Sequence, residues 1–296
     1  MRANACQCAI GSSDLAPGSV PIGRTSRYNA RMDSLLSPPR LAALCRALAH
    51  QVTLELVAET GSTNADLLAE LGRLRGPKLL VAEMQTAGRG RAGRVWHSAP
   101  GATLTFSLAW KFRLPVQALV GLPLAVGVVI VEVLSLFGID GRLKWPNDVL
   151  KDGSKLAGIL IETALAKNGD EEIWAVIGVG LNLAMPDALA TRIGRAAAAL
   201  PALPGHALDR DQLMAALLDG LADALGLFER HGFKLFKERW NRLHAYAGRQ
   251  VVVLEGERVV QEGSAVGVDD CGRLLLDTAA GRIAVVAGDV SLRIKE

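Results

Sequence analysis

Met84-Gln85-Thr86-Ala87-Gly88-Arg89-Gly90-Arg91-Ala92-Gly93-Arg94-Val95-Trp96-His97 is the stretch around which the rest of the chain reads. Three arginines alternate with three glycines, and an aromatic residue closes the run. Glycine lets a backbone approach a ligand closely and turn through positive φ. Arginine supplies a planar, permanently charged fork that matches phosphate or carboxylate oxygens. The expectation is a loop that wraps an anionic small molecule. Gly88-x-Gly90-x-x-Gly93 also matches the dinucleotide spacing, but a dinucleotide loop opens a helix. Val95 to Gly101, with Pro100 inside it, cannot start one. No G-x-x-x-x-G-K-[ST] phosphate loop occurs.

Working outward, Leu79 to Met84 reads as the strand that feeds this loop. Upstream, Ser37-Pro38-Pro39 reads as a helix start, with Leu41, Leu44, Cys45 and Leu48 at helical spacing. Thr53 to Val57 is a short strand. Ser62, Thr63 and Asn64 precede an apolar helical pattern, and spacing alone favours a helix N-cap there. The alternative is that these groups grip a polar ligand at the helix N-terminus. Downstream, Leu104, Phe106, Leu108 and Trp110 alternate with Thr103, Thr105 and Ser107, a strand with one polar face. Ala118 to Val131 is too short for a bilayer span of roughly 20 residues and is interrupted by glycine and proline, so it reads as a buried core helix.

Leu143 to Val149 reads as a strand broken by Pro146 and resumed at Val149, with Lys144, Asn147 and Asp148 at the break. Asp152-Gly153 marks a hairpin turn into a strand opened by Lys155, and Asn168-Gly169-Asp170 marks the next turn. Ile173 to Leu183 carries Gly178, Gly180 and Asn182; glycine inside a strand suggests close approach of a ligand or another backbone. Two helices follow between Asp209 and Leu243. From Gly248 the texture becomes short strands and turns (Val251 to Leu254, Val259-Val260, Leu274 to Leu276, Ile283 to Val286, Leu292 to Ile294), a small all-β barrel. The expected domains are a disordered leader over 1–36, a catalytic domain over 37–247 and the barrel over 248–296.

Charge narrows the classes. The formal net charge of +3 sits in the first 31 residues, which hold four arginines and one acid, leaving 29 basic and 29 acidic residues beyond them. Such a body has no global basic field of the kind nucleic-acid binding prefers. The four cysteines form no disulfide framework, no metal-ligand spacing stands out, and the five histidines lack partners for nucleophilic catalysis. A cationic site without a protein nucleophile suits transfer between substrates, with the protein neutralising phosphate charge.

Taken in order, the Gly88–Trp96 loop, Lys144-Trp145-Pro146-Asn147-Asp148, Lys155-Leu156-Ala157-Gly158-Ile159-Leu160, Gly178-Val179-Gly180-Leu181-Asn182 and the terminal Val290-Ser291-Leu292-Arg293 resemble the bacterial biotin–protein ligases. The resemblance covers roughly Leu54 to Arg293. It implies an α+β fold: a central mixed or antiparallel sheet packed with helices, like a class II synthetase, followed by an SH3-like barrel. It also implies a two-step reaction in which biotin and ATP give biotinyl-5′-AMP, and a lysine of a biotin carboxyl carrier domain, from acetyl-CoA carboxylase or a related carboxylase, then takes the biotin.

By matching position, Ser62, Thr63, Asn64, Gln85, Arg89, Gly90, Arg91, Lys155 and Gly158 are expected at biotin. Trp96, Lys144, Asn147, Asn182 and Arg293 are expected at the nucleotide, and Asp148 at Mg²⁺. Arg89, Arg91, Lys144 and Lys155 are the candidate catalytic residues. Ala92 stands where many relatives carry another basic residue, and Asp289 replaces a frequent glutamate. Before Leu54 the chain offers too little for the winged helix-turn-helix of the repressor-type relatives, so a cytoplasmic ligase is expected, without DNA or membrane binding, and a homodimer through sheet edges is compatible with the resemblance. The alternatives weighed are a lipoate–protein ligase and a biotin-operon DNA-binding regulator.

Overall fold

The computed structural model describes residues 36–46, 51–166, 172–201 and 208–295. The expected leader, the Leu48 end of the first helix and the Asn168–Asp170 turn lie outside them.

The order of elements follows the sequence pattern closely: α1 (Pro38–Leu44), β1 (Thr53–Thr60), α2 (Thr63–Glu70), β2 (Lys78–Gln85), β3 (Thr103–Phe112), α3 (Leu122–Leu136), β4 (Arg142–Lys144), β5 (Asp148–Lys151), β6 (Ser154–Leu165), β7 (Ile173–Asn182), α4 (Asp187–Ile193), α5 (Arg210–His231) and α6 (Lys234–Leu243). β8 (Gln250–Glu255), β9 (Arg258–Val268), β10 (Leu274–Thr278), β11 (Gly281–Val285) and β12 (Val290–Ile294) complete the chain. A seven-stranded mixed sheet has the order β1-β2-β3-β7-β6-β5-β4, in which only β1 and β2 run parallel. The last five strands form the expected antiparallel SH3-like unit, in the order β11-β10-β9-β8-β12.

The two faces of the large sheet carry different chemistry, because side chains alternate along each strand. One face is apolar across its whole width. Val81, Phe106, Val179 and Ile159 lie in register, as do Leu79, Leu108, Ile177 and Ile161. They build the main core with α3, α5 and α6, where Leu213, Leu217, Leu221 and Phe236 are fully buried. Helix α3 is the apolar run expected to be core, and most of its residues are buried.

The other face divides. At one end Leu80, Ala109, Trp174 and Val176 pack under Leu67 of α2. Further along, the same face presents Thr105, Ser107, Gly178, Gly180 and Gly158, small or hydroxylated, and a depression opens above them. The polar face expected of β3 is therefore buried, and it floors a cavity.

Two local readings are corrected. Pro146 does not interrupt one continuing strand: β4 and β5 are antiparallel, with Lys144 opposite Asp148, so the chain reverses through Trp145-Pro146-Asn147. The short strand expected at Val259-Val260 extends to Val268, because β9 pairs with both β8 and β10 even where its residues are polar. The Asp152-Gly153 hairpin stands, with both residues at positive φ (50° and 77°) between β5 and β6.

Candidate active site

The floor is shaped by what glycine leaves out. A Cβ at Gly178 would collide with Asn64 Oδ1, and one at Gly180 with the Trp96 indole. Two side chains, Asn64 and Trp96, make the close approach at these glycines.

Both readings of the α2 N-terminus apply, to different residues. Ser62 caps the helix, accepting from Ala65 N at 3.5 Å. Thr63 and Asn64, each 3% exposed, turn inward instead. Thr63 donates from N and Oγ1 to Gln85 Oε1 (2.8 and 3.1 Å). Ser107 Oγ lies 2.7 Å from Thr63 Oγ1 and 2.5 Å from Asn64 Oδ1. Asn64 Nδ2 donates to Leu160 O (3.3 Å) and Glu162 Oε2 (2.8 Å). Ser62, Thr63, Asn64, Gln85, Arg89, Gly90, Gly158 and Lys155 line a first cavity.

The glycine–arginine loop is a tight hairpin over this cavity. Trp96 N donates to Gly88 O (2.9 Å) and Gly90 N to Arg94 O (2.7 Å). Arg91–Gly93 makes a single 3-10 turn with Ala92 and Gly93 at positive φ, so no helix follows, as expected. The base is tied by Ser98, whose Oγ accepts from Gln85 N at 2.7 Å. Arg89 Nη2 reaches Glu162 Oε2 at 2.8 Å. Arg91 Nη1 donates to Asn147 Oδ1 (3.1 Å), and its Nη2 bonds Gly288 O in the loop before β12. Burial pulls the Arg91 guanidinium below its ordinary pKa, against the attraction of Asp148 and Asp289.

A second cavity is charged. The β4–β5 hairpin brings Lys144, Asn147 and Asp148 to it, with Arg91, Arg94, Lys155, Arg195 and Asp289. Asp148 sits between two lysines: Lys155 Nζ lies 2.5 Å from its Oδ1 and Lys144 Nζ 3.7 Å from its Oδ2. Burial lowers the Lys144 pKa, with Asp148 opposing and Lys155, Arg293 and Arg195 adding to the fall. Five cations around two acids leave a deficit of negative charge of the kind a polyphosphate can fill.

A third cavity is bounded by Trp96, Asn182, Ile193 and the Arg195–Ala197 segment. Asn182 Nδ2 donates to Ala198 O (2.9 Å), while its Oδ1 and the Trp96 Nε1 are buried without hydrogen-bond partners. Buried polar atoms of this kind are rare and call for a partner. Lys155 and Trp96 line all three cavities, and Lys155 Nζ lies 5.9 Å from the centroid of the Trp96 ring.

Of the residues expected from sequence, Ser62, Thr63, Asn64, Gln85, Arg89, Gly90, Arg91, Trp96, Lys144, Asn147, Asp148, Lys155, Gly158 and Asn182 converge on these cavities. Arg293 lines none of them; it is exposed on β12, and only its charge is felt at Lys144. Sequence reasoning missed Ser107, Glu162, Arg94 and Arg195 as members of the site. Ser107 was readable as one hydroxyl on the polar face of β3, and Arg94 stood inside the quoted loop. Arg195 follows α4 with no motif around it.

The biotin/lipoate A/B protein ligase family model matches residues 57–182, and the biotin protein ligase C-terminal domain matches residues 246–293. The chain belongs to that ligase family, which the fold and the cationic three-part site define. The chain is 40% identical over 236 residues to the bifunctional ligase/repressor BirA of Salmonella typhimurium, covering 79% of this chain and 72% of that one. It is 38% identical over 244 residues to the biotin–[acetyl-CoA-carboxylase] ligase of Mycobacterium tuberculosis, covering 80% and 88%. The Aquifex aeolicus biotin protein ligase in complex with biotin and ATP superposes with a TM-score of 0.68 at 31% identity, over 82% of this chain and 99% of that one. Within the family, the chain groups with the biotin protein ligases.

Proposed function

We infer that the protein is an ATP-dependent, AMP-forming biotin–protein ligase. One observation carries the reading: Lys155 and Trp96 stand where a cavity rich in hydroxyl and amide groups, a cationic cavity and a cavity with orphaned polar atoms meet. A ligand with its ring in the first and its carboxylate at Lys155 meets a polyphosphate in the second and a nucleoside in the third.

Ser62, Thr63, Asn64 and Gln85 hold biotin's ureido ring, whose paired N–H and C=O groups need the alternating donors and acceptors found there. In the first step a biotin carboxylate oxygen attacks the α-phosphorus of ATP and pyrophosphate leaves. Positioning removes much of the entropic barrier, and Lys155, Lys144 and Arg91 stabilise the charge that builds on the phosphate oxygens. Trp96 Nε1 and Asn182 Oδ1 take polar atoms of the nucleotide. The closed loop then keeps water from biotinyl-5′-AMP until a lysine of a biotin carboxyl carrier domain attacks the acyl carbon and AMP departs.

The donor set fits a Mg²⁺ carried by ATP, since the carboxylates of Asp148 and Asp289 face the charged cavity. Such an ion is bound through one or two carboxylates, phosphates and water. Asp148 is the residue that would hold it, and it would supply further neutralisation of the phosphates.

Lipoate–protein ligases share the broader family, but the relatives and the matching structures are named for biotin. Pyrophosphate release measured with biotin or lipoate separates the two; a response to lipoate alone would overturn the reading. The balanced charge beyond the first 31 residues favours a ligase that works without DNA. A gel shift strengthened by biotinyl-AMP would contradict that part. The outer edge of the large sheet at β1 is the surface a homodimer would use, since at β4 Leu143 is already bridged to His244.

A further inference from the structure

Glu162 stands on β6 seven residues beyond Lys155, on the same face of the sheet as Gly158 and Leu160. Its Oε2 accepts two hydrogen bonds. One comes from Asn64 Nδ2, inside the first cavity, and one from Arg89 Nη2, at the near end of the loop, both at 2.8 Å.

The contact does two things. It fixes the polarity of the Asn64 amide. A carboxylate and the Leu160 carbonyl can only accept, so the Nδ2 must face them, and Oδ1 must face Ser107 and the cavity. It also gives Arg89 a fixed anionic anchor, although that arginine is 42% exposed and would otherwise sample many rotamers. The loop end is therefore held through the same oxygen that orients a group at the ring site.

We propose that Glu162 is a positioning residue that clamps the closed loop and locks the donor–acceptor sense of Asn64, and so sets both biotin recognition and retention of the acyl-adenylate. The proposal rests on the biotin ligase reading of the first cavity. Glu162 itself need not touch substrate. Its loss frees the Asn64 amide to flip and releases Arg89, so ring recognition and lid closure weaken together.

The test uses the full chain with biotin, ATP and Mg²⁺. E162Q keeps the shape but can donate as well as accept, and R89Q breaks the same link from the exposed side, where folding is not at stake. Escape of biotinyl-AMP is followed by rapid filtration, and protection of the 88–95 loop by hydrogen exchange with biotin alone. E162Q is expected to raise the biotin KM and to speed escape about fivefold, the scale of a partly exposed ion pair. R89Q is expected to speed escape similarly and, because Arg89 lines the first cavity, to raise the biotin KM as well. The double variant is expected to be no leakier than E162Q, because both act on one contact. Biotin should still bind E162Q at saturation, yet protect the loop less. Wild-type escape and loop protection in E162Q would overturn the proposal, as would additive effects in the double variant. If the wild-type chain forms no biotinyl-AMP, the reading beneath it fails as well, which the wild-type control alone reveals.

Discussion

Replacing Lys155 by methionine removes a charge and keeps the length of the stem. In the structure this ammonium lies 2.5 Å from Asp148 and lines all three cavities. On the proposed path it faces the reacting carboxylate and α-phosphate, where removal of one well-placed donor costs about 2.7–4 kcal/mol, a factor of about 100–1,000 in rate. Lys144 and Arg91 remain beside the phosphates, so the expected loss is at the lower end, about 100-fold. Folding should suffer little: the Lys155–Asp148 pair is partly exposed, worth about 1 kcal/mol or less. Biotin affinity should fall only several-fold, because on the proposed pose Ser62, Thr63 and Gln85 hold the far end of the ligand. Single-turnover pyrophosphate release at saturating biotin and ATP measures the chemistry, and calorimetry with biotin alone measures binding. Adenylation within threefold of wild type would refute the assignment. So would a loss confined to biotin binding, since Lys155 would then not act on the transition state.

Other expectations follow from particular contacts. His244 is buried against Trp240 with neither ring nitrogen hydrogen-bonded, and burial lowers its pKa from 6.5 to about 4. As pH falls, the unfolded chain takes up this proton first, so stability is full above about pH 6.5 and is lost progressively toward pH 4, by about 3 kcal/mol in all. Urea unfolding at pH 7 and pH 5 should show about 2 kcal/mol of that loss in wild type and not in H244F; equal losses in both would contradict it. G180A pushes a methyl into the Trp96 indole, so it should raise the ATP KM more than the biotin KM in steady-state kinetics, and the reverse order would be wrong for this geometry. Arg195 has no ion-pair partner among the described residues and lines both the charged cavity and the nucleotide-side cavity. R195A should raise the ATP KM several-fold and leave calorimetric biotin affinity unchanged; an unchanged ATP KM would place this arginine outside the nucleotide site.

Much of the fold was readable because its periods are clean. The alternation in β3 and the apolar run of α3 each have one physical solution, and both elements formed where the pattern put them. The loop was readable because glycine and arginine have few other reasons to alternate. Harder to read was what each polar face would meet. The hydroxyls of β3 marked a polar face, but only the register of β3 with β7 shows them over Gly178 and Gly180, beneath Asn64. Pro146 signalled a break, yet a break and a reversal look alike until β4 and β5 are seen to pair. Glu162 left no signal, since one acid near the end of an apolar strand usually faces water. Arg195 belongs to a segment whose position depends on contacts far away in sequence, including the bridge between Ala197 and Lys155.

The loop that first read as a generic anion cradle becomes a lid anchored at two points, Arg89 on Glu162 and Arg91 on Asn147 and Gly288. On the proposed function, the three adjoining cavities make one enzyme that activates biotin and hands it to a protein lysine. Incubation of the full chain with biotin, ATP, Mg²⁺ and an isolated biotin carboxyl carrier domain, followed by mass measurement of the carrier, tests it directly. The account predicts one added biotinyl group on a single carrier lysine, dependent on ATP. An unmodified carrier, in a reaction where a known biotin ligase modifies it, would contradict the account.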